Sequence, residues 1–163
     1  VEEVIAKDSS SKIRFAGVEQ VRQKPVLISD VETSEESRID TSSGELNRVL
    51  GGGLVPGSLV LIGGEPGIGK STLVLQVVLN MKGQKTLYVS GEESVKQIKL
   101  RAERLKFDNP DCYIVSETSL EQIFVHIQNT QPDLVIVDSI QTVSTETIES
   151  SPGSVSQVRE CAA

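Results

Sequence analysis

Cysteine is scarce in this chain. Its two cysteines, Cys112 and Cys161, stand far apart and neither has a Cys-x-x-Cys or Cys/His neighbour. That spacing excludes a zinc ribbon and a disulfide framework, so reduced structural thiols are expected. Long apolar runs are missing too. No stretch approaches the roughly 18 residues of a bilayer-spanning helix, and the start of the chain shows no secretory pattern, so a cytoplasmic protein with no membrane partner is expected. An excess of positive charge is also absent. Sixteen basic against 23 acidic residues leave a net charge of -7, which gives no general attraction to a polyanion; any nucleic-acid contact must be local. Internal repeats and low-complexity tracts are lacking.

What is present is one domain's worth of chain, 163 residues with 37% hydrophobic content, enough to bury a sizeable core. The apolar residues gather in short runs between residues 58 and 138. Upstream, a stretch rich in Ser, Glu and Lys reads as an N-terminal arm or linker over residues 1–40, with the folded core over 41–163. From Ser58 onward short apolar runs alternate with amphipathic segments, which predicts βα units and an α/β fold with a mostly parallel sheet flanked by helices. The expected strands are Ser58 to Gly63, Thr86 to Ser90, Cys112 to Ser116 and Leu134 to Asp138, all apolar enough for burial on both faces.

Helices are expected between the strands. One runs from Lys70 to Met81, its stretch Leu73 to Leu79 apolar nearly all round, and is ended by Gly83. Ser94 to Leu105 places Val95, Ile98, Ala102 and Leu105 on one stripe and Lys96, Lys99, Arg101 and Arg104 elsewhere, on a face read as solvated. Leu120 to Asn129 turns Leu120, Ile123, Phe124 and Ile127 inward and leaves His126 on its polar side. A short helix over Ser43 to Leu50, with Leu46, Val49 and Leu50 apolar, stops at Gly51-Gly52-Gly53. A turn at Pro56-Gly57 then feeds the first strand. A last helix begins after Val155.

The chemistry concentrates in Gly64-Glu65-Pro66-Gly67-Ile68-Gly69-Lys70-Ser71 and the following Thr72, a Gly-x-x-x-x-Gly-Lys-Ser loop between an apolar strand and an apolar helix. Glycines let the backbone curl so that its amides point inward at anionic oxygens, and the helix start adds its positive dipole end. In that reading Lys70 neutralises the β- and γ-phosphates, and Ser71 offers a hydroxyl to a magnesium ion. A dinucleotide loop fits less well. Thr72 stands where its third glycine belongs, and the lysine is left unexplained.

Two carboxylate motifs follow. Leu134-Val135-Ile136-Val137-Asp138 is an apolar strand ending in an acid, placed to hold the same magnesium ion, with Ser139 as a possible helper at that edge. Gly91-Glu92-Glu93-Ser94 follows the strand Leu87-Tyr88-Val89-Ser90, where a carboxylate can orient and deprotonate an attacking water. Glu92 is the expected base. The alternative is that both glutamates only favour the start of the next helix, as Glu93 could while Glu92 catalyses.

Four stretches together resemble the RecA-type P-loop ATPases, within them a bacterial DNA-repair branch related to DnaB-type replicative helicases: Glu45 to Gly57, Gly64 to Thr72, Tyr88 to Ser94, and Val137-Asp138-Ser139-Ile140-Gln141-Thr142. The resemblance implies a RecA-like core binding ATP and Mg2+ and hydrolysing ATP. It implies DNA-dependent activity in recombinational repair with branch migration, on single-stranded or branched DNA held mostly by regions outside this chain. A RecA-type recombinase is the implied partner and a homo-hexamer the implied assembly. A nucleotide-switched oligomerisation module with little turnover is the alternative. The short helix near Glu45 to Leu50 would lie beside the nucleotide, and Gln141 where DNA-facing loops begin. Members of this branch also carry a four-cysteine zinc finger, a Lys-Asn-Arg-Phe-Gly motif and a Lon-protease-like domain, none of which is in these residues, so a fragment incomplete at its C-terminal end is expected. In the family's topology a further strand, lying beyond Ala163, separates the phosphate-loop strand from the Asp138 strand.

Overall fold

Strand β1, Thr86–Ser90, is buried at every position because it has neighbours on both edges and helices over both faces. It pairs in parallel with β2, Cys112–Ser116, on one side and with β3, Leu134–Asp138, on the other. In the computed structural model of the chain, residues 25–30 and 37–163 are described. The expected arm over residues 1–40 therefore lies mostly outside the described residues. Residues 37–163 belong to one compact unit, and Ile28–Asp30 form a separate single 3-10 turn.

Side chains alternate across a strand, so β1 feeds two cores. Tyr88 packs on one face with Leu75, Val78 and Leu79 of α2 (Lys70–Asn80) and Ile98 of α3 (Val95–Leu105). Leu87 and Val89 pack on the other with Ile123 of α4 (Leu120–Thr130) and Val143. Each fully buried side chain of this kind contributes about 1.5–3 kcal/mol. The chain runs β1, α3, β2, α4, β3 with β1 in the middle of the sheet. The two crossovers travel in opposite directions, so a common handedness puts α3 and α4 on opposite faces. In register, Ser90, Ser116 and Asp138 stand level at the carboxyl edge.

Serine starts most of the helices. Ser43 caps α1 (Gly44–Val49), Ser94 caps α3 in a capping box with Gln97, Ser119 caps α4, and Ser154 caps α5 (Val155–Ala162). These hydroxyls satisfy amides that would otherwise face solvent unpaired. Helix α2 differs: Gly69 precedes it in the left-handed region with φ 100°, and no side chain caps it.

The far end of α2 is held from a distance. The Asn109 amide, almost fully buried, donates to the carbonyls of Val78, Met81 and Gln84 at 2.9, 3.0 and 3.3 Å. Asn109→Ala removes all three bonds; the Met81 carbonyl keeps the Gln84 amide, but the Val78 carbonyl loses this donor in a buried place, which costs about 1–3 kcal/mol. The urea midpoint of the intact protein is expected to fall with an unchanged slope.

The structure differs from the sequence reading in several places. Ser58 to Gly63 takes no regular secondary structure and joins no ladder among the described residues, and Leu59 and Leu61 are 86% and 84% exposed. Its apolar run suits a buried strand, but both edges of β1 are taken and 58–63 is not paired with β3. Burial on both faces holds for β1 alone; Tyr113 of β2 and Val137 of β3 are partly exposed, since outer strands have less above and below them. Leu120, Ile123 and Ile127 define the inward stripe of α4 and Phe124 falls beside it, half-exposed; Val95 and Val49 likewise face outward. No helix among the described residues is long and apolar enough to cross a membrane.

Candidate active site

The phosphate-loop candidate is an open bend. Residues Gly63 to Gly69 are exposed, and Gly67 and Gly69 take φ values of 80° and 100° that side chains resist. Lys70, the first residue of α2, folds back along this bend, its ammonium donating to the carbonyls of Gly64 and Glu65, both at 2.8 Å. Ile68 is exposed on the bend and Thr72 on the first turn of α2.

Ser71 points the other way, into the sheet edge. Its hydroxyl donates to Asp138 Oδ1 at 3.0 Å, across 67 positions of sequence. The second oxygen of Asp138 accepts from the Tyr88 hydroxyl at 2.5 Å. Burial, then the hydrogen bond to Asp138 and its charge, push the Tyr88 phenol far above its ordinary value of 10.0. The peptide between Asp138 and Ser139 is cis.

Glu92 and Glu93 hang from the end of β1. Ser90 Oγ accepts from the amides of Glu93 and Glu92 at 3.0 and 3.4 Å, fixing the turn. The two carboxylates then diverge. Glu93 pairs with Arg101 at 2.8 Å, whereas Glu92 Oε1 accepts from the Ser139 hydroxyl at 3.1 Å. The Gly91 amide donates to the Asp138 carbonyl at 3.1 Å. Motifs at 70–71, 90–93 and 138–142 thus meet at the carboxyl edge of β1 and β3.

Gln141 is exposed on the turn Ile140–Thr142. The entry of α1 is tied to the end of α2 remote from the phosphate loop, through a hydrogen bond from Ser42 Oγ to the Asn80 carbonyl at 3.3 Å. Cys112 and Cys161 are free thiols. The sequence reading missed Tyr88 and Arg101 as parts of the site. The pattern of α3 puts Arg101 on its solvated face, but the side chain is only 19% exposed and donates to the Tyr88 hydroxyl at 3.2 Å. Its position three residues after the buried Ile98 was the available signal.

A serine hydroxyl and a carboxylate oxygen side by side at the start of a helix form a hard donor pair. Such a pair suits an ion like magnesium, which takes few protein ligands and completes its shell with water and phosphate oxygens.

The parallel sheet, the helices on both faces and the glycine bend leading into α2 define a RecA-like P-loop nucleotide-hydrolase core. The chain belongs to the AAA domain family, whose match covers residues 22–161. Among individual proteins it is similar to the DNA repair protein RadA of Bacillus subtilis, 57% identical over all of this chain and 36% of that protein. RadA of Halalkalibacterium halodurans is 55% identical over 99% of this chain and 35% of its own length. RadA of Listeria monocytogenes is 54% identical over 86% and 31% respectively. The chain spans about a third of the length of these relatives.

Proposed function

We propose that this chain carries the ATP-binding and ATP-hydrolysing core of a DNA-repair ATPase acting in recombination. The observation that carries the reading is the contact of Ser71 with Asp138, because it joins the phosphate-loop helix to the acidic strand end at one point. The uncapped start of α2 adds support: its amides have no side-chain acceptor, so they are free to meet phosphate oxygens.

In this reading residues Gly64, Glu65, Pro66, Gly67, Ile68, Gly69, Lys70, Ser71 and Thr72 hold the triphosphate. Lys70 exchanges its two carbonyl partners for the β- and γ-phosphates, whose negative charge binds an ammonium more strongly than neutral carbonyls do. Ser71 and Asp138 would hold Mg2+, which supplies charge neutralisation of the phosphates. Glu92 takes a proton from the water that attacks the γ-phosphorus as the bond to the bridging oxygen breaks and ADP leaves. Glu93 is a poorer candidate for the base because Arg101 occupies it, while the Glu92 carboxylate accepts from a neutral hydroxyl, that of Ser139.

The name shared by the relatives, DNA repair protein, supports DNA as the partner of the whole protein. Single-stranded or branched DNA, a RecA-type recombinase and a homo-hexameric ring belong to this proposal. With a net charge of -7, DNA contacts are expected mostly outside this chain. ATP turnover of the intact protein is expected to rise on adding single-stranded DNA. Near-zero turnover with nucleotide-dependent assembly would instead select the switch module.

A further inference from the structure

We propose that Tyr88 is a positioning residue for the metal-site carboxylate: its phenol fixes the orientation of Asp138, and Arg101, anchored on Glu93, holds the phenol in place. This rests on the reading of Asp138 given above. The observation is a continuous chain of contacts, Glu93 to Arg101 at 2.8 Å, Arg101 to Tyr88 at 3.2 Å, and Tyr88 to Asp138 at 2.5 Å.

The sheet delivers the phenol to this spot. Tyr88 is in register with Ile136, so Asp138, two residues on, lies on the same face of the sheet and one diagonal step away. That diagonal is within reach of an aromatic side chain. Phenylalanine would fill the same core among Leu75, Val78, Leu79 and Ile98. A buried hydroxyl there costs desolvation unless it is paired, and this one is paired twice.

The direction of the chain is set by chemistry. Arginine can only donate, so the phenol accepts from Arg101 and its single hydrogen goes to Asp138. One nitrogen of Arg101 serves both: it lies 2.8 Å from Glu93 Oε2 as an ion pair and donates a hydrogen bond to the Tyr88 hydroxyl. With Oδ2 of Asp138 committed to the phenol, Oδ1 is the oxygen left beside Ser71. Without the phenol, the carboxylate at the strand end keeps the Ser71 hydroxyl on Oδ1 but loses the bond that fixes Oδ2. The same chain joins Asp138 to the residue next to Glu92, coupling the two acidic parts of the site.

The test is nucleotide binding by the intact protein, followed with a ribose-labelled fluorescent ATP across a Mg2+ titration and in EDTA. Losing an outer-shell partner of a metal ligand typically weakens metal affinity about 10–100-fold. Tyr88→Phe is therefore expected to bind nucleotide in EDTA like the parent, to need about 10–100-fold more Mg2+ for half-maximal tightening, and to regain turnover at high Mg2+. Arg101→Met, at the rim of the core, is expected to move the Mg2+ midpoint the same way by a smaller factor, and it carries the test should Tyr88→Phe fold poorly. Arg101→Lys keeps a cationic donor and should restore part of the shift. Parent-like Mg2+ dependence in both Tyr88→Phe and Arg101→Met would overturn the proposal. A parent protein that binds nucleotide with no Mg2+ effect, or an Asp138→Asn variant with an unchanged Mg2+ midpoint, would overturn the reading of Asp138 beneath it.

Discussion

Glu92→Gln in the intact protein is expected to lower ATP turnover by about 10²–10⁴-fold, the usual worth of a positioned base, with nucleotide affinity nearly unchanged. The amide keeps the size of the side chain and can still accept from the Ser139 hydroxyl at its oxygen, but it cannot take the proton of the attacking water. Glu93→Gln is the informative contrast. It weakens the ion pair with Arg101 without touching the proposed base, so its effect should be smaller and should show mainly in Mg2+ dependence. Steady-state turnover and a nucleotide titration on the same preparations separate the two roles. Equal losses in both variants would remove the assignment of the base to Glu92.

Gly91→Ala is expected to be damaging for a steric reason. A Cβ at residue 91 would stand 1.9 Å from Thr142 Oγ1, 2.6 Å from Thr142 Cβ and 3.3 Å from Thr118 Cγ2. Thr142 cannot yield freely, because its hydroxyl donates to the Ser139 carbonyl at 2.7 Å and Ser139 in turn donates to Glu92. The Gly91 amide is also bonded to Asp138. A strained core of this kind costs about 1–3 kcal/mol, and a shift of about 1 Å in a catalytic group can cost on the order of 10²-fold in rate. The variant should therefore melt lower and turn over far more slowly. Adding Thr142→Gly, which removes both close atoms, should return most of the stability; failure to do so would place the damage elsewhere.

Much of this site is legible in the sequence because its chemistry is local. The glycine bend, Lys70 and Ser71 follow one another, and the acids stand at strand ends that an apolar run marks. The strands Thr86–Ser90, Cys112–Ser116 and Leu134–Asp138 occur where the apolar runs predict them. Ser58 to Gly63 carries the same signal and forms no ladder, since composition reports what a strand would bury and not which edge is available to it. Arg101 and Tyr88 escaped for a related reason. Arginine on a helix usually reaches solvent, and only the side-by-side placing of β1 and β3 brings Tyr88 to Asp138 and gives Arg101 an inward partner. Asn109 is similar, since nothing near it in sequence predicts that it seals the end of α2.

The most direct measurement of the central claim is a fluorescent-ATP titration of the intact protein with Mg2+, set beside Lys70→Ala. The account predicts saturable binding by the parent and a loss of about 10–100-fold in the variant, as expected for removing a charged hydrogen-bonding group worth about 1.5–3 kcal/mol. Equal affinity in the two proteins, or no binding by the parent, would contradict it.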